Sequence, residues 1–238
     1  MSISTSKVLR IVNIVLIVGI VLGLGGVAYR VLTTDPSTPT TELERALLTA
    51  EEAVKANPED PTARIKLAAA YLERGNLTGA FEQADIAVRL DPEDPTGYYM
   101  KGLAEADLGR TSDAIKSLSK AVETEGQLAG FYQDAWLALS RAHEKDGNDE
   151  KALFSMTKAV NNGPENVVLL NERGQLYERM EDWQNAMDDY ASALEYVPNY
   201  EPALASFNRL KKDHPDVFKK LQELYGIEDT STPAPGDK

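Results

Sequence analysis

The sequence predicts an all-α protein, a superhelical solenoid of stacked helical hairpins preceded by a single N-terminal transmembrane helix. Three observations carry that prediction. Small and aromatic residues recur with a 34-residue period through most of the 238-residue chain. The run IVNIVLIVGIVLGLGGVAY, between Arg10 and Arg30, holds 19 residues and no charge. The chain is 42% hydrophobic and 26% charged, a balance suited to an ordered core, and it contains no cysteine. Disulfides, thiolate catalysis and cysteine-ligated metal are thereby excluded.

Residues 1–10 form a short tail carrying Lys7 and Arg10, and residues 11–32 the apolar helix. At about 1.5 Å per residue the uncharged run reaches about 28 Å, close to the roughly 30 Å hydrocarbon core. A cleaved leader is the alternative, with Gly26-Val27-Ala28 as its small-x-small site. The run exceeds a usual leader core and Arg30 follows closely, which favours a retained anchor. Lys7, Arg10 and the amino terminus precede the span, against Arg30 and Arg45 after it. The positive-inside rule then puts the C-terminal part outside the cytoplasm, in a periplasm or at the cell surface. Gly19 and Gly23 make a G-x-x-x-G through which two such helices could approach and homo-oligomerise. TTDPSTPTT, residues 33–41, reads as a Pro/Thr linker.

Charge is uneven as well. The net formal charge is −13; residues 1–34 carry three basic side chains and no acid, leaving −16 on the remainder. A surface that acidic repels phosphate, so nucleic acid is not the expected partner.

The repeat begins with PTARIKLAAAYLERGNLTGAFEQADIAVRLDP (61–92), which aligns with VVLLNERGQLYERMEDWQNAMDDYASALEYVP (167–198). Tyr71 matches Tyr177, Ala68 matches Gly174, Ala80 matches Ala186, Ala87 matches Ala193 and Pro92 matches Pro198. Between them, residues 95–126 supply Tyr98, Gly102, Gly109, Ala114 and Ala121, and residues 133–164 supply Trp136, Leu139, Gly147, Ala152, Ala159 and Pro164. Four inserted residues, 129–132, separate these two middle copies. Each copy holds two helical periods joined by a short turn, at 75–76, 109–110, 146–148 and 181–182. Asp60 and Asp94, each followed by proline, are expected N-caps. The small residues let hairpin partners approach, and the aromatic ones fill the space between hairpins.

These positions resemble the tetratricopeptide repeat (TPR) family, whose signature is W-x2-L-G-x2-Y followed by alanine, an aromatic residue and proline. The resemblance covers about residues 42–225. Lys101 and Arg173 depart from it where leucine is preferred, His143 replaces tyrosine and Gly126 replaces a proline. The expected TPR domain runs over 42–226. It comprises a half-repeat at 42–60, repeats at 61–94, 95–128, 133–166 and 167–200, capping helices at 201–226, and a disordered tail at 227–238.

No catalytic constellation is expected. The sequence has no G-x-x-x-x-G-K-[ST], H-E-x-x-H or G-x-S-x-G. His143 sits at an aromatic packing site and His214 at an exposed boundary before Pro215; DGNDE (146–150) lacks the glycine and distal glutamate of a calcium loop. Adjacent Asp188 and Asp189 diverge on a helix and read as a solvated face. No cofactor and no metal are expected.

The resemblance implies that the first helix of each hairpin lines a concave groove. The wall residues would then be Ile65, Ala69, Leu72, Tyr99, Leu103, Leu137, Arg141, Asn171, Gln175 and Arg179, with Arg209 continuing it. The first half is apolar and the second polar and basic, a pattern suited to a peptide with an apolar end and an acidic or carboxylate end. Equally, the apolar half is accounted for if the half-repeat or the linker covers it. The expected function is a membrane-anchored scaffold docking a protein or peptide partner, as an assembly or biogenesis factor. The alternatives are a cytosol-facing targeting receptor and a self-assembling structural protein.

Overall fold

A computed structural model of the chain describes residues 41–123 and 129–225. The N-terminal tail, the apolar span with Gly19 and Gly23, nearly all of the linker and the tail 227–238 lie outside the described residues. Among the described residues, no helix is long and apolar enough to cross a membrane.

The chain divides into two units, Met1–Thr49 and Ala50–Lys238. The division falls inside the first described helix, α1 (Glu42–Ala56). In the first unit a capping box opens this helix: the Glu44 N–H donates to Thr41 Oγ1 at 3.1 Å, and the Thr41 N–H donates to Glu44 Oε2 at 3.2 Å.

In the second unit, five helical pairs follow one another. They are α2 (Pro61–Glu73) with α3 (Leu77–Leu90), α4 (Pro95–Asp107) with α5 (Thr111–Ala121), and α6 (Ala129–Lys145) with α7 (Asp149–Asn162); then come α8 (Val167–Arg179) with α9 (Trp183–Tyr196) and α10 (Glu201–Asp213) with α11 (Pro215–Tyr225). Each helix packs on its hairpin partner, and the second helix of each pair packs on the first helix of the next. This is an all-α solenoid of hairpins, with eleven α-helices among the described residues.

Local chemistry explains the boundaries. Asp60 and Asp94 accept from the N–H groups of Thr62 and Thr96, with Pro61 and Pro95 starting α2 and α4. Asn76, Asn148 and Asp182 cap the second helices by accepting from Gly79, Lys151 and Asn185. The turns inside the first four hairpins each place one residue at positive φ. Gly75, Gly109 and Gly147 supply it at 77°, 76° and 77°; in the fourth hairpin Glu181 is forced there, at 59°.

The insertion at 129–132 is not a loop. It forms an added first turn on α6, which has 17 residues where α2, α4, α8 and α10 have 13 each. Phe131 anchors this turn, edge-on to Tyr99 at 5.5 Å and to Tyr132 at 5.1 Å between ring centres.

Small residues set the spacing within hairpins. Ala80, Ala114, Ala152 and Ala186 are completely buried. A Cβ on Gly102 would come within 2.6 Å of Leu118, and one on Gly174 within 2.6 Å of the Tyr190 ring. The larger apolar cluster runs from α7 to α11 around Met156, Leu169, Leu176, Met187, Tyr190 and Leu210; a smaller one joins α5 to α6 around Leu118, Ala135 and Leu139.

Candidate interaction groove

The first helices α2, α4, α6, α8 and α10 carry the wall residues anticipated from the repeat. Four of them converge. Tyr99 and Leu103 from α4, with Leu137 and Arg141 from α6, line one open pocket of about 450 Å³. Leu118 and Ala138 add to its floor, and Asp107, Asp134 and Lys145 stand at its edge. Burial raises the Tyr99 phenol above its ordinary value; the charge of Asp134 adds to this and Arg141 opposes it. Tyr99 is backed by its edge contact with Phe131, so the added turn of α6 supports a wall residue of the pocket without lining the pocket itself.

The other anticipated residues are placed differently. Ile65, Ala69 and Leu72 lie half-buried along α2 and do not line this pocket. Gln175 is exposed on α8. Asn171, from the same helix, is buried with 5% of its surface exposed, and its Oδ1 has no hydrogen-bond partner. Neighbouring groups enclose it rather than leaving it on an open wall.

The basic half of the wall is neutralised internally. Arg141 Nη2 donates to Glu172 at 2.7 Å, linking α6 to α8. Arg179 donates to Glu144 at 2.6 Å and lies 3.4 Å from Asp149, linking α8 back to α6 and α7. Partial burial works against the Arg179 charge, but the Glu144 and Asp149 carboxylates outweigh it and raise its pKa. Arg209 grips Glu178 with contacts of 2.8 and 2.6 Å, and Lys145 donates to the Ala106 carbonyl at 3.1 Å. The expectation of a basic end awaiting a carboxylate is corrected on this point. Carboxylates of the adjacent hairpins already hold these guanidinium groups, because long Arg and Glu side chains on neighbouring first helices reach each other across the wall.

Two of the departures from the repeat signature, Lys101 and Arg173, are paired with acids. Lys101 reaches Asp85 at 2.7 Å. Arg173 forks onto Asp189 with two contacts of 2.7 and 2.6 Å, and Asp189 is only 5% exposed. Asp189 therefore lies on no solvated face, contrary to the sequence reading. Burial pushes its carboxyl up against the pull of Arg173, while Asp189 raises the Arg173 guanidinium in spite of burial. Glu105, 34 residues after Tyr71, escaped the sequence reading. It is 4% exposed, accepts from Ser117 Oγ at 2.6 Å, and is raised by burial.

His143 is 8% exposed, its Nδ1 has no partner, and burial followed by the Lys151 charge lowers its pKa against a smaller effect of Asp146. It lines a second, shallower pocket of about 430 Å³ with Trp136, Lys151 and Phe154. His214 is not merely an exposed boundary; its ring stacks on Trp183 at 4.2 Å. Among the described residues, no cluster of three or more histidine, aspartate or glutamate side chains is placed to hold a metal ion.

The tetratricopeptide-repeat family model matches residues 41–95 and 99–167, more than half of the chain. The chain belongs to the TPR family. Among curated relatives, anaphase-promoting complex subunit 3 of Schizosaccharomyces pombe is 30% identical over 101 residues, and general transcription factor 3C polypeptide 3 of Homo sapiens is 39% identical over 61. These matches take in 40% and 26% of this chain, and only 15% and 7% of the relatives. Among solved structures, the pilF protein of Pseudomonas aeruginosa superposes with a TM-score of 0.64 at 16% identity, over 78% of this chain and 86% of that one. MamA gives 0.57 at 24% identity, over 65% and 88% of the two chains. YrrB, described as a TPR protein with an unusual peptide-binding site, gives 0.55 at 22%, over 69% and 83%. At these identities the likeness speaks for the TPR fold alone.

Proposed function

We propose that this TPR protein is a membrane-anchored scaffold that docks a polypeptide on the wall formed by its first helices, outside the cytoplasm, as an assembly or biogenesis factor. One observation carries the docking: the open pocket of about 450 Å³ between α4 and α6, with Tyr99, Leu103 and Leu137 turned to it. Burying one leucine- or phenylalanine-sized anchor there contributes about 1.5–3 kcal/mol. An extended or helical peptide supplies such an anchor together with contacts to the flanking helices. The peptide-binding site of YrrB, on a similar fold, is consistent with that use. Anchoring rests on the uncharged run within residues 11–32, and orientation on Lys7 and Arg10.

Photoreactive residues placed singly at Tyr99 and at Arg179, in native membranes, test the docking. One polypeptide captured from both positions is the expected result. Capture of nothing, or only of this chain, sinks it. Protease added outside intact spheroplasts should digest the TPR part; full protection would reverse the orientation and favour a cytosol-facing receptor.

A further inference from the structure

We propose that the α4–α6 pocket selects a polypeptide segment in which an apolar anchor is flanked by basic residues. This deepens the docking reading above and rests on it. The charges around the pocket are divided in an uneven way. Both of its cations are already used: Arg141 by Glu172 at 2.7 Å and Lys145 by the Ala106 carbonyl at 3.1 Å. The next two cations along the wall, Arg179 and Arg209, are held by Glu144 and Glu178, each at 2.6 Å. Both acids at the pocket edge, Asp107 and Asp134, are exposed and make no hydrogen bond or ion pair with any described residue.

An incoming carboxylate would therefore have to displace Glu172 or Glu144 and leave it unpaired, exchanging one contact for another. An incoming lysine or arginine meets Asp107 or Asp134 with nothing to displace. The field of the molecule has the same sign, since the chain carries −13 overall. It accelerates the approach of a cationic segment and slows that of an anionic one. The apolar anchor supplies burial and the basic flanks supply selection.

The test is a selection of random twelve-residue displayed peptides on the full-length protein in detergent micelles. It is repeated on Leu103→Asp and, in case that substitution unfolds the hairpin, on Leu137→Ser. Peptides that depend on the pocket are those lost on both variants that remain folded. The expected pool has an aromatic or large aliphatic residue with lysine or arginine within three positions. Individual members should bind Asp107→Asn/Asp134→Asn about two- to twentyfold more weakly, as two exposed ion pairs allow. They should be unchanged on the control Glu150→Gln/Asp216→Asn, which removes as much charge elsewhere. A pocket-dependent pool with neutral or acidic flanks overturns the basic-segment inference and leaves polypeptide docking standing. Equal weakening by the control pair also overturns it, because net charge alone would then explain selection. A pool with no dependence on the pocket overturns both readings.

Discussion

At the scale of single residues, the turn of the fourth hairpin departs from its siblings. Glu181 takes a φ of 59° where Gly75, Gly109 and Gly147 take 76–77°. A side chain in that left-handed region costs about 1–2 kcal/mol, and the exposed Glu181 side chain makes no hydrogen bond or ion pair with a described residue. Glu181→Gly is therefore expected to stabilise the protein by about 0.5–1 kcal/mol, after the added freedom of glycine in the unfolded chain is subtracted. Urea unfolding measures it; a loss of stability would show that Glu181 contributes through its side chain. His143 makes a second case, with the opposite pH behaviour from a buried acid. Its folded pKa is lowered from 6.5, chiefly by burial, so the folded state prefers the neutral ring. The stability this allows is present above about 6.5 and is lost as pH falls through the lowered folded value. His143→Phe removes both the titration and the unpartnered Nδ1, and should gain about 1 kcal/mol at neutral pH. Thermal melts from about pH 8 to about pH 5 should fall less steeply for this variant than for the parent. Parallel curves would mean that water or a neighbouring group satisfies His143.

At the scale of elements, α8 and α9 are joined by a pair where a purely apolar contact is the family habit. Arg173 and Asp189 meet with two contacts of 2.6–2.7 Å, and both are largely buried. Removing one partner strands the other charge, so Arg173→Leu alone is expected to cost about 3–5 kcal/mol. Arg173→Leu/Asp189→Leu should recover most of that loss or exceed the parent, because well-packed leucines need no desolvation. Chemical denaturation of the three proteins tests it, and a double variant no better than the single one would sink the argument. The same pair marks the limit of what the sequence reveals. Helix starts at Pro61 and Pro95, the close approaches at Gly102 and Gly174 and the turn glycines are local or strictly periodic, so spacing alone exposes them. Arg173 was legible only as a departure; its partner sixteen residues away depends on the rotation of α9 against α8. The pocket was half legible for the same reason. Tyr99, Leu103, Leu137 and Arg141 follow from the period, whereas Phe131, which backs Tyr99 from outside the pocket, comes from a turn that breaks it. The pairing of Arg141, Arg179 and Arg209 requires acids on neighbouring hairpins, which no single repeat displays. Asn171 has a wall position in the repeat, yet neighbouring groups bury it.

At the scale of the whole second unit, core substance is distributed unevenly along the row of hairpins. The buried residues of α2 and α3 are Ala63, Leu67, Ala68, Ala70, Ala80, Ala84 and Ala87. Those of α8 and α9 include Leu169, Leu170, Leu176, Met187 and Tyr190, joined to Met156 and Leu210 in one cluster. Stability in a repeat array is close to a sum of hairpin terms and neighbour terms, so such a difference is not averaged away as it would be in a globular core. A large apolar side chain contributes about 1.5–3 kcal/mol when fully buried, against much less for alanine. The array should therefore open from the α2–α3 end while α8 and α9 remain formed, and a single unfolding free energy would not describe it. Hydrogen exchange read by mass spectrometry distinguishes the two behaviours. Amides of α2 and α3 are expected to exchange at least tenfold faster than those of α8 and α9, a difference of about 1.4 kcal/mol in local opening. Equal protection along the whole row would show that the interfaces between hairpins, rather than the bulk within them, dominate the stability of this TPR array.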